Sequence, residues 1–364
     1  MLKLIRSPQK YVQGRNAFEE FYDYGKDYGE RFLFVASKSG LKYCKDKLEK
    51  SFGENDVYRR YEKFSGISSN GEIERISEII KEDNIDAVVG LGGGSAIDTA
   101  KAAAYYTKKP ILILPTVVAT DAPCTGLSVI YNDDGTFDRY IFYPDNPNMV
   151  MVDTNVIANA PIKFLVAGIG DALATYYEAK ACKKVDAPSL ENGGISDSAL
   201  ALCKLCNEIL FEHGEIAITS LEKKIVNESV DKIIEAATYL SGVGADNGGL
   251  AAAHSIYNGF TEIESVDAMH GEIVAFGAIV QLLMEAYPKE ELYRVIDLCY
   301  KVGLPLTLED LNIKEKDLMV GCEKACVEGE TIHNIVGDVT PEILKDFVLT
   351  ADSLGRKYYK EHKK

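Results

Sequence analysis

Between Val88 and Lys101 the chain reads VVGLGGGSAIDTAK, an apolar run, three consecutive glycines and then a helix-forming stretch. "IDAVVG" has the profile of a buried strand and "AIDTAKAAAYY" that of a helix, so Gly92, Gly93, Gly94 and Ser95 form a tight connection at the strand's carboxyl end. Glycine lets backbone N–H groups approach a ligand with no Cβ in the way, and a helix N-terminus attracts anions, so a pyrophosphate fits there. The stretch is not a G-x-G-x-x-G fingerprint, and a turn that is merely tight explains three glycines equally well. Asp98 and Lys101 lie one turn apart on the same face of the helix, either as part of the site or as a solvated ion pair.

From residue 31 to about 153, short apolar runs ("RFLFVAS", "IDAVVGLG", "PILILPT", "NMVMVD") alternate with amphipathic stretches. That alternation predicts a mostly parallel sheet covered on both faces. "NDDG", set within this region between two alternating segments, reads as a hairpin turn that relies on Gly135. After Pro161 the chain reads as helices, for example "GEIVAFGAIVQLLMEAY", where Phe276, Ile279, Val280 and Leu283 recur at core-facing spacing. We therefore expect an α/β domain over residues 1–160 and an α-helical domain over 161–364, with the site in the cleft between them. Two domains suit 364 residues and a 46% hydrophobic content.

A long irregular segment, "LPTVVATDAPCTGLSVIY", follows the next strand, where ligands bind in open α/β sheets. Asp121 in such a crevice accepts a hydrogen bond from a substrate hydroxyl, or else forms an Asx turn before Pro123. Of five histidines, His254 and His270 lie beside glycines in apolar, small-residue helices, while His213 and His333 stand near no other strong ligand type and His362 lies in a charged tail. A histidine on an apolar face is often only a satisfied core residue. If these two are ligands, their separation of sixteen residues requires two helices, and Asp171 in "AGIGDALATYYEAK" is the carboxylate that completes a three-ligand zinc site with an open position. Gly168 and Gly170 are expected to bring that helix close against the nucleotide domain.

The net charge is −16, from 40 basic and 56 acidic residues, and no Lys/Arg block tracks a helix, which argues against nucleic acid as a partner. "MLKLIRSPQKYVQG" lacks the features of a secretory signal and no apolar segment is long enough to span a bilayer, so a cytoplasmic protein with no membrane partner is expected. Eight scattered cysteines do not suggest a disulfide framework. Cys203 and Cys206 have C-x-x-C spacing, but Cys322 and Cys326, the pair that would complete a four-thiolate zinc site, do not, and all four read as small core residues.

With these residues in view, the chain resembles the iron-containing alcohol dehydrogenases, in their zinc-dependent, glycerol-oxidising branch. The resemblance spans essentially the whole chain. It is carried by "GGGSAIDTAK", "PTVVATDAPCTGLSVIY", "NPNMVMVDTNVIANAPIKFLVAGIGDALATYYEAKAC" and "GGLAAAHSIYNGF" followed by "HGEIVAFG". It implies a Rossmann-like nucleotide-binding domain followed by a helical metal-binding domain, as in dehydroquinate synthase-like architectures, and zinc held by Asp171, His254 and His270. It also implies dinucleotide contacts from Gly94, Asp98, Thr116, Thr125, Leu127 and Tyr131, and substrate contacts from Asp121 and from His254 at the metal.

Four positions depart from the branch. Ser37 stands where Asp is usual, which opens the cofactor choice to NADP as well as NAD. Ser95 stands for Lys, Ala119 for Ser, and Tyr257 for a His one turn after His254; Thr175, where broader relatives have a His, follows the branch. The reaction implied is reversible oxidation of a secondary alcohol of a small polyol, by a homo-oligomer. Two rival readings are a same-fold enzyme, a cyclase or lyase or one acting on a phosphorylated polyol, and a non-catalytic nucleotide- or metal-binding protein.

Overall fold

The computed structural model describes residues 1–362. Six strands form one parallel sheet: β1 (Tyr11–Gly14), β2 (Arg31–Ala36), β3 (Tyr58–Lys63), β4 (Ala87–Gly92), β5 (Ile111–Pro115) and, after two intervening strands, β8 (Met149–Asp153), in the order β1-β8-β5-β4-β2-β3. The intervening strands, β6 (Leu127–Tyr131) and β7 (Phe137–Phe142), pair antiparallel across the predicted turn, with Gly135 at φ 89°. They form a separate two-stranded sheet rather than part of the parallel one. Ile130, Ile141 and Tyr143 fasten its inner face to Ile73 and Ala102 on neighbouring helices.

The inner strands are apolar throughout because both faces are covered. Phe32 and Phe34 of β2, Val89 and Leu91 of β4, Leu112 and Leu114 of β5 and Met149 and Met151 of β8 pack against Cys44, Leu48 and Phe52 of the helix Lys38–Phe52. On the opposite face Leu33, Val35 and Val88 meet Ile76 and Ile80 of helix Asn70–Glu82 and Ala96, Ala100 and Ala103 of helix Gly94–Thr107. Further along that face Ile113, Val150 and Val152 enter a different cluster, with Leu165, Ile169 and Leu173 of the helix Ile162–Val185. The sheet thus packs directly against the helical half.

Chain direction switches between β2 and β4: β2 leads outward to β3, whereas β4 leads the other way to β5. Loops leaving the carboxyl ends of two such strands diverge and leave a crevice. Ser37 follows one strand and the glycine turn ends the other.

The helical half comprises Ile162–Val185, Asp197–Leu221, Glu228–Glu235, Ser241–Gly248, Ala252–Phe260, His270–Met284, Lys289–Val302, Leu318–Ala325 and Pro341–His362. One π-helical turn, Ala236–Leu240, joins the third of these to the fourth. Phe276, Ile279 and Val280 are fully buried and Leu283 partly so. Residues 1–6 cross to this half, where Arg6 N–H donates to Asn247 Oδ1 at 2.8 Å and Leu2 O accepts from Gly194 N at 2.8 Å. No described helix is long and apolar enough to cross a membrane.

Candidate functional site

The three glycines are not equivalent. A Cβ on Gly92 would lie 2.9 Å from Ala96 Cβ and 3.0 Å from Ser37 Cβ, so that glycine is required by packing. A Cβ on Gly93 would meet only Val117 Cγ2 at 3.3 Å, and one on Gly94 only Thr120 Oγ1 at 3.9 Å. Neither residue has a positive φ. Nothing inside the chain demands glycine at Gly94 and little does at Gly93; they leave open a cradle that side chains would fill, at the N-terminus of a 14-residue helix.

The other residues expected here gather around this turn. Ser37 caps the helix Lys38–Phe52, its Oγ accepting from Gly40 N at 3.0 Å. Ser95 is exposed at the mouth, and Thr116 N–H donates to Gly92 O at 2.9 Å. Ala119 and Thr120 are half-buried in the loop beyond, and Leu127 and Tyr131 sit half-buried on β6. Asp98 is buried. Its Oδ2 accepts from Val129 N at 3.3 Å, Oδ1 has no partner among the described residues, and burial pushes the carboxyl up to about 6.

Lys101 is only 2% exposed, which excludes the solvated ion pair. Its ammonium donates to the carbonyls of Ala122, Thr125 (2.8 Å) and Leu127 (3.1 Å) and thereby pins the loop that carries Asp121. From the opposite side Asp246 Oδ2 accepts from Gly126 N at 2.8 Å. The Asp121 carboxylate is not in an Asx turn: Oδ2 accepts from Ser241 Oγ at 3.1 Å, and Ser241 Oγ lies 2.9 Å from Thr175 Oγ1. Its backbone N–H donates to Asp171 Oδ2 at 3.1 Å, so one peptide ties the loop to the carboxylate cluster.

Asp171, His254 and His270 come together, with one ligand atom from each lying within 4.8 Å of the others. Nε2 of His270 is 3.0 Å and Nε2 of His254 3.4 Å from Asp171 Oδ1. Tetrahedral bonds of ~2.0–2.1 Å to one zinc ion separate ligand atoms by about 3.3–3.4 Å, so the donor set and its spacing fit such an ion. Glycines bring the helices this close. A Cβ on Gly271 would fall 1.8 Å from Ala167 O, and one on Gly170 2.2 Å from Gly271 O. Gly168 does face the nucleotide half as expected, at Val118 O, but Gly170 serves the crossing with helix His270–Met284 instead.

Glu178, two turns after Asp171, joins the cluster from behind His254. Its Oε1 accepts from Ala251 N at 2.8 Å and His254 N at 3.0 Å, capping the helix Ala252–Phe260, while Oε2 lies 2.6 Å from His254 Nδ1. One carboxylate thus fixes both the helix and the imbalance of its histidine's two nitrogens, leaving Nε2 toward Asp171. A sequence signal existed: Asp171 and Glu178 are the only acids in the apolar stretch 162–179, at i and i+7 on one helix face. Ser241 and Asp246 carried no such signal, because the π-helical turn that sets their direction has no simple sequence period.

The electrostatics follow from this packing. Burial, the largest influence on Asp171, would raise its carboxyl, yet His270 and His254 hold it well below the usual range. Burial alone would lower the His254 imidazole; Glu178 and Asp171 instead hold it well above its ordinary value. Asp121 is pushed up to about 8 by burial and then by the charge of Asp171. His213 bonds Ser229, His333 bonds a carbonyl and His362 stacks on Tyr358, all outside the cluster. All eight cysteines are free, and none joins a metal-binding group among the described residues.

Residues 8–154 match the family model for iron-containing alcohol dehydrogenase. A glycerol dehydrogenase of Escherichia coli O6:H1 is 45% identical over 99% of this chain and 100% of its own length. A glycolaldehyde reductase of Halobacterium salinarum is 40% identical over 98% of this chain and 99% of its own. The crystal structure of glycerol dehydrogenase from Schizosaccharomyces pombe has a TM-score of 0.94 at 35% identity, covering 99% of this chain and 92% of that one.

Proposed function

The chain belongs to the iron-containing alcohol dehydrogenase family and is a metal-dependent oxidoreductase, and from that premise we propose that it catalyses the reversible NAD-dependent oxidation of a secondary hydroxyl of glycerol, or of a related small diol, to the hydroxyketone. The observation that supports this reading is the peptide link from Asp121 to Asp171, which ties the loop after β5 to the cluster of Asp171, His254 and His270. In this reading residues 1–160 hold the dinucleotide, 161–364 hold the metal, and the enzyme works in the cytoplasm as a homo-oligomer.

Asp171, His254 and His270 hold the ion. Two imidazoles and one carboxylate suit zinc, which supplies Lewis acidity toward a hydroxyl oxygen without redox chemistry of its own. The dinucleotide supplies the hydride acceptor. Gly92, Gly93, Gly94 and Ser95 would receive its pyrophosphate, and Asp98, Thr116, Ala119, Thr125, Leu127 and Tyr131 would contact the dinucleotide. Ser37, with Lys38 beside it, places no carboxylate against a 2'-phosphate, so NADP is the alternative carrier.

Asp121 orients the second hydroxyl of the substrate while its own N–H keeps Asp171 in place. Glu178 takes the Nδ1 proton of His254 in a hydrogen bond and so keeps Nε2 available as a ligand. A phosphorylated substrate finds little counter-charge here: segments 115–131, 164–179 and 251–277 contain no Lys or Arg, Lys101 is committed to loop carbonyls, and Arg6, which reaches Gly126, is paired with Glu191. The similarity to a glycolaldehyde reductase favours a second reading, in which the same site reduces a small hydroxyaldehyde.

The test is reduced-nicotinamide absorbance with glycerol and 1,2-propanediol, using NAD and NADP in parallel, and glycolaldehyde in the reductive direction. Each is run before and after chelation, with zinc, iron or manganese returned. Chelator-sensitive turnover of the diols restored best by zinc is expected. Failure of every metal-restored form on all three substrates would sink the proposal.

A further inference from the structure

The two imidazoles of the cluster are supported unequally. His254 is held by Glu178 through its ring and its backbone N–H. His270 bonds only Asp171, and among the described residues no group hydrogen-bonds its Nδ1. Its neighbour is Tyr257, whose ring centroid lies 4.1 Å from that of His270 with the planes at 73°. Rings in edge-to-face contact at this distance restrict each other's rotation.

Tyr257 is three residues after His254, hence on the same face of one helix turn, and it connects the two ligands mechanically. Behind its ring stand Ala174, Ala253, Val274 and Ala278, all fully buried, so the ring has no space into which to withdraw. Its hydroxyl has no hydrogen-bond partner among the described residues, which separates the role of the ring from that of the oxygen.

We propose that Tyr257 is the positioning residue of His270, its ring setting the imidazole plane by contact as Glu178 sets that of His254 by hydrogen bonding. The inference rests on the cluster being a metal site, and a flat side chain is the property it requires at this position. Tyr257→Phe keeps that property. Tyr257→Leu keeps the packing against the alanines but has no ring, and Tyr257→Met fills the same space flexibly.

The full-length chain is stripped with chelator and titrated with zinc against a chromophoric competitor, and the cobalt-substituted protein is examined by ligand-field absorption. Tyr257→Phe should stay within about twofold of the parent while Tyr257→Leu and Tyr257→Met bind zinc about tenfold more weakly, the lower end of losses when a ligand's supporting group is removed. The cobalt spectrum should shift in the Leu and Met variants only. Parent-like affinity and spectrum in whichever of these two folds would overturn the assignment, as would a Phe variant that falls as far as they do. A parent chain with no zinc or cobalt affinity overturns the metal reading itself, an outcome distinct from equal binding by parent and variants.

Discussion

The two sides of the cleft prepare for their ligands by opposite means. On the sheet side the proposed site offers backbone N–H donors, and its preparation would consist of the side chains absent at Gly93 and Gly94. On the helical side the groups are three side chains, each oriented by another residue: Asp171 by the Asp121 peptide, His254 by Glu178, His270 by Tyr257. A cradle made by absence is local, because one strand–turn–helix unit contains it. A cluster of braced side chains is not: His270 and Asp171 are 99 residues apart, and each brace comes from a segment other than its ligand's own, Asp121 from the loop after β5, Glu178 from the helix of Asp171 and Tyr257 from the helix of His254. Substitutions on the two sides should therefore separate cleanly, with metal affinity moving on one and dinucleotide affinity on the other.

The largest separation is expected from Glu178→Gln. Removing a group that orients a metal-binding histidine lowers metal affinity ~10–100-fold, and dinucleotide affinity should not change. The loss should also depend on pH. In the metal-free protein Glu178 and Asp171 hold the His254 proton well above its ordinary pKa, and a metal must displace that proton. Below that pKa the parent's apparent zinc affinity falls about tenfold per pH unit for the one proton. Without Glu178's charge the burial penalty lowers the imidazole pKa, so the variant begins to lose affinity only at lower pH. Zinc titrations of both proteins across pH should converge as pH falls; a constant gap, or an equal drop in dinucleotide affinity, would contradict the proposed brace.

The same contrast governs how much of the molecule its sequence discloses. β2, β4, β5 and β8 are recognisable because both faces are buried and the runs are continuously apolar. β1 (YVQG) and β3 (YRRYEK) are not, because they are the two outer strands, half-exposed, and their polar residues mask the pattern. Gly135 marks its turn, but nothing near it reveals that β6 and β7 leave the parallel sheet; that follows from Ile130 and Ile141 packing on remote helices. Asp171, His254 and His270 stand out as ionisable residues in apolar helices. Of the residues around them Glu178 shares that signal, whereas Ser241, Asp246 and Tyr257 have ordinary neighbours and gain meaning only when the helices cross. Lys101 looks like a surface partner of Asp98 and proves to be an internal clamp on the loop.

Asp121 belongs to the sheet side by sequence and to the helical side by contact, so its substitution asks whether the division holds at the seam. Asp121→Ala removes the carboxylate but keeps the N–H to Asp171 Oδ2. Zinc affinity should change little, and kcat/KM for 1,2-propanediol should fall about tenfold relative to a monohydric secondary alcohol, the weight of one hydrogen bond. Equal losses on both alcohols would remove Asp121 from substrate recognition and leave only its peptide with a role.

The smallest effects are expected at the turn, where they are also the most diagnostic. Gly94→Ala introduces a Cβ whose nearest neighbour is 3.9 Å away, in a backbone conformation that alanine adopts. Stability should rise slightly, by ~0.4–1 kcal/mol, because the unfolded chain loses freedom. Dinucleotide affinity should nevertheless fall several-fold, about 1 kcal/mol, as the methyl enters the space above the helix N-terminus. Gly92→Ala should behave oppositely, losing stability through contacts at 2.9 Å with Ala96 and 3.0 Å with Ser37. Thermal unfolding and dinucleotide titration of the pair decide between a cradle and a turn that is merely tight. A Gly94→Ala protein that is more stable and binds the dinucleotide as well as the parent would mean that the pyrophosphate lies elsewhere in the crevice.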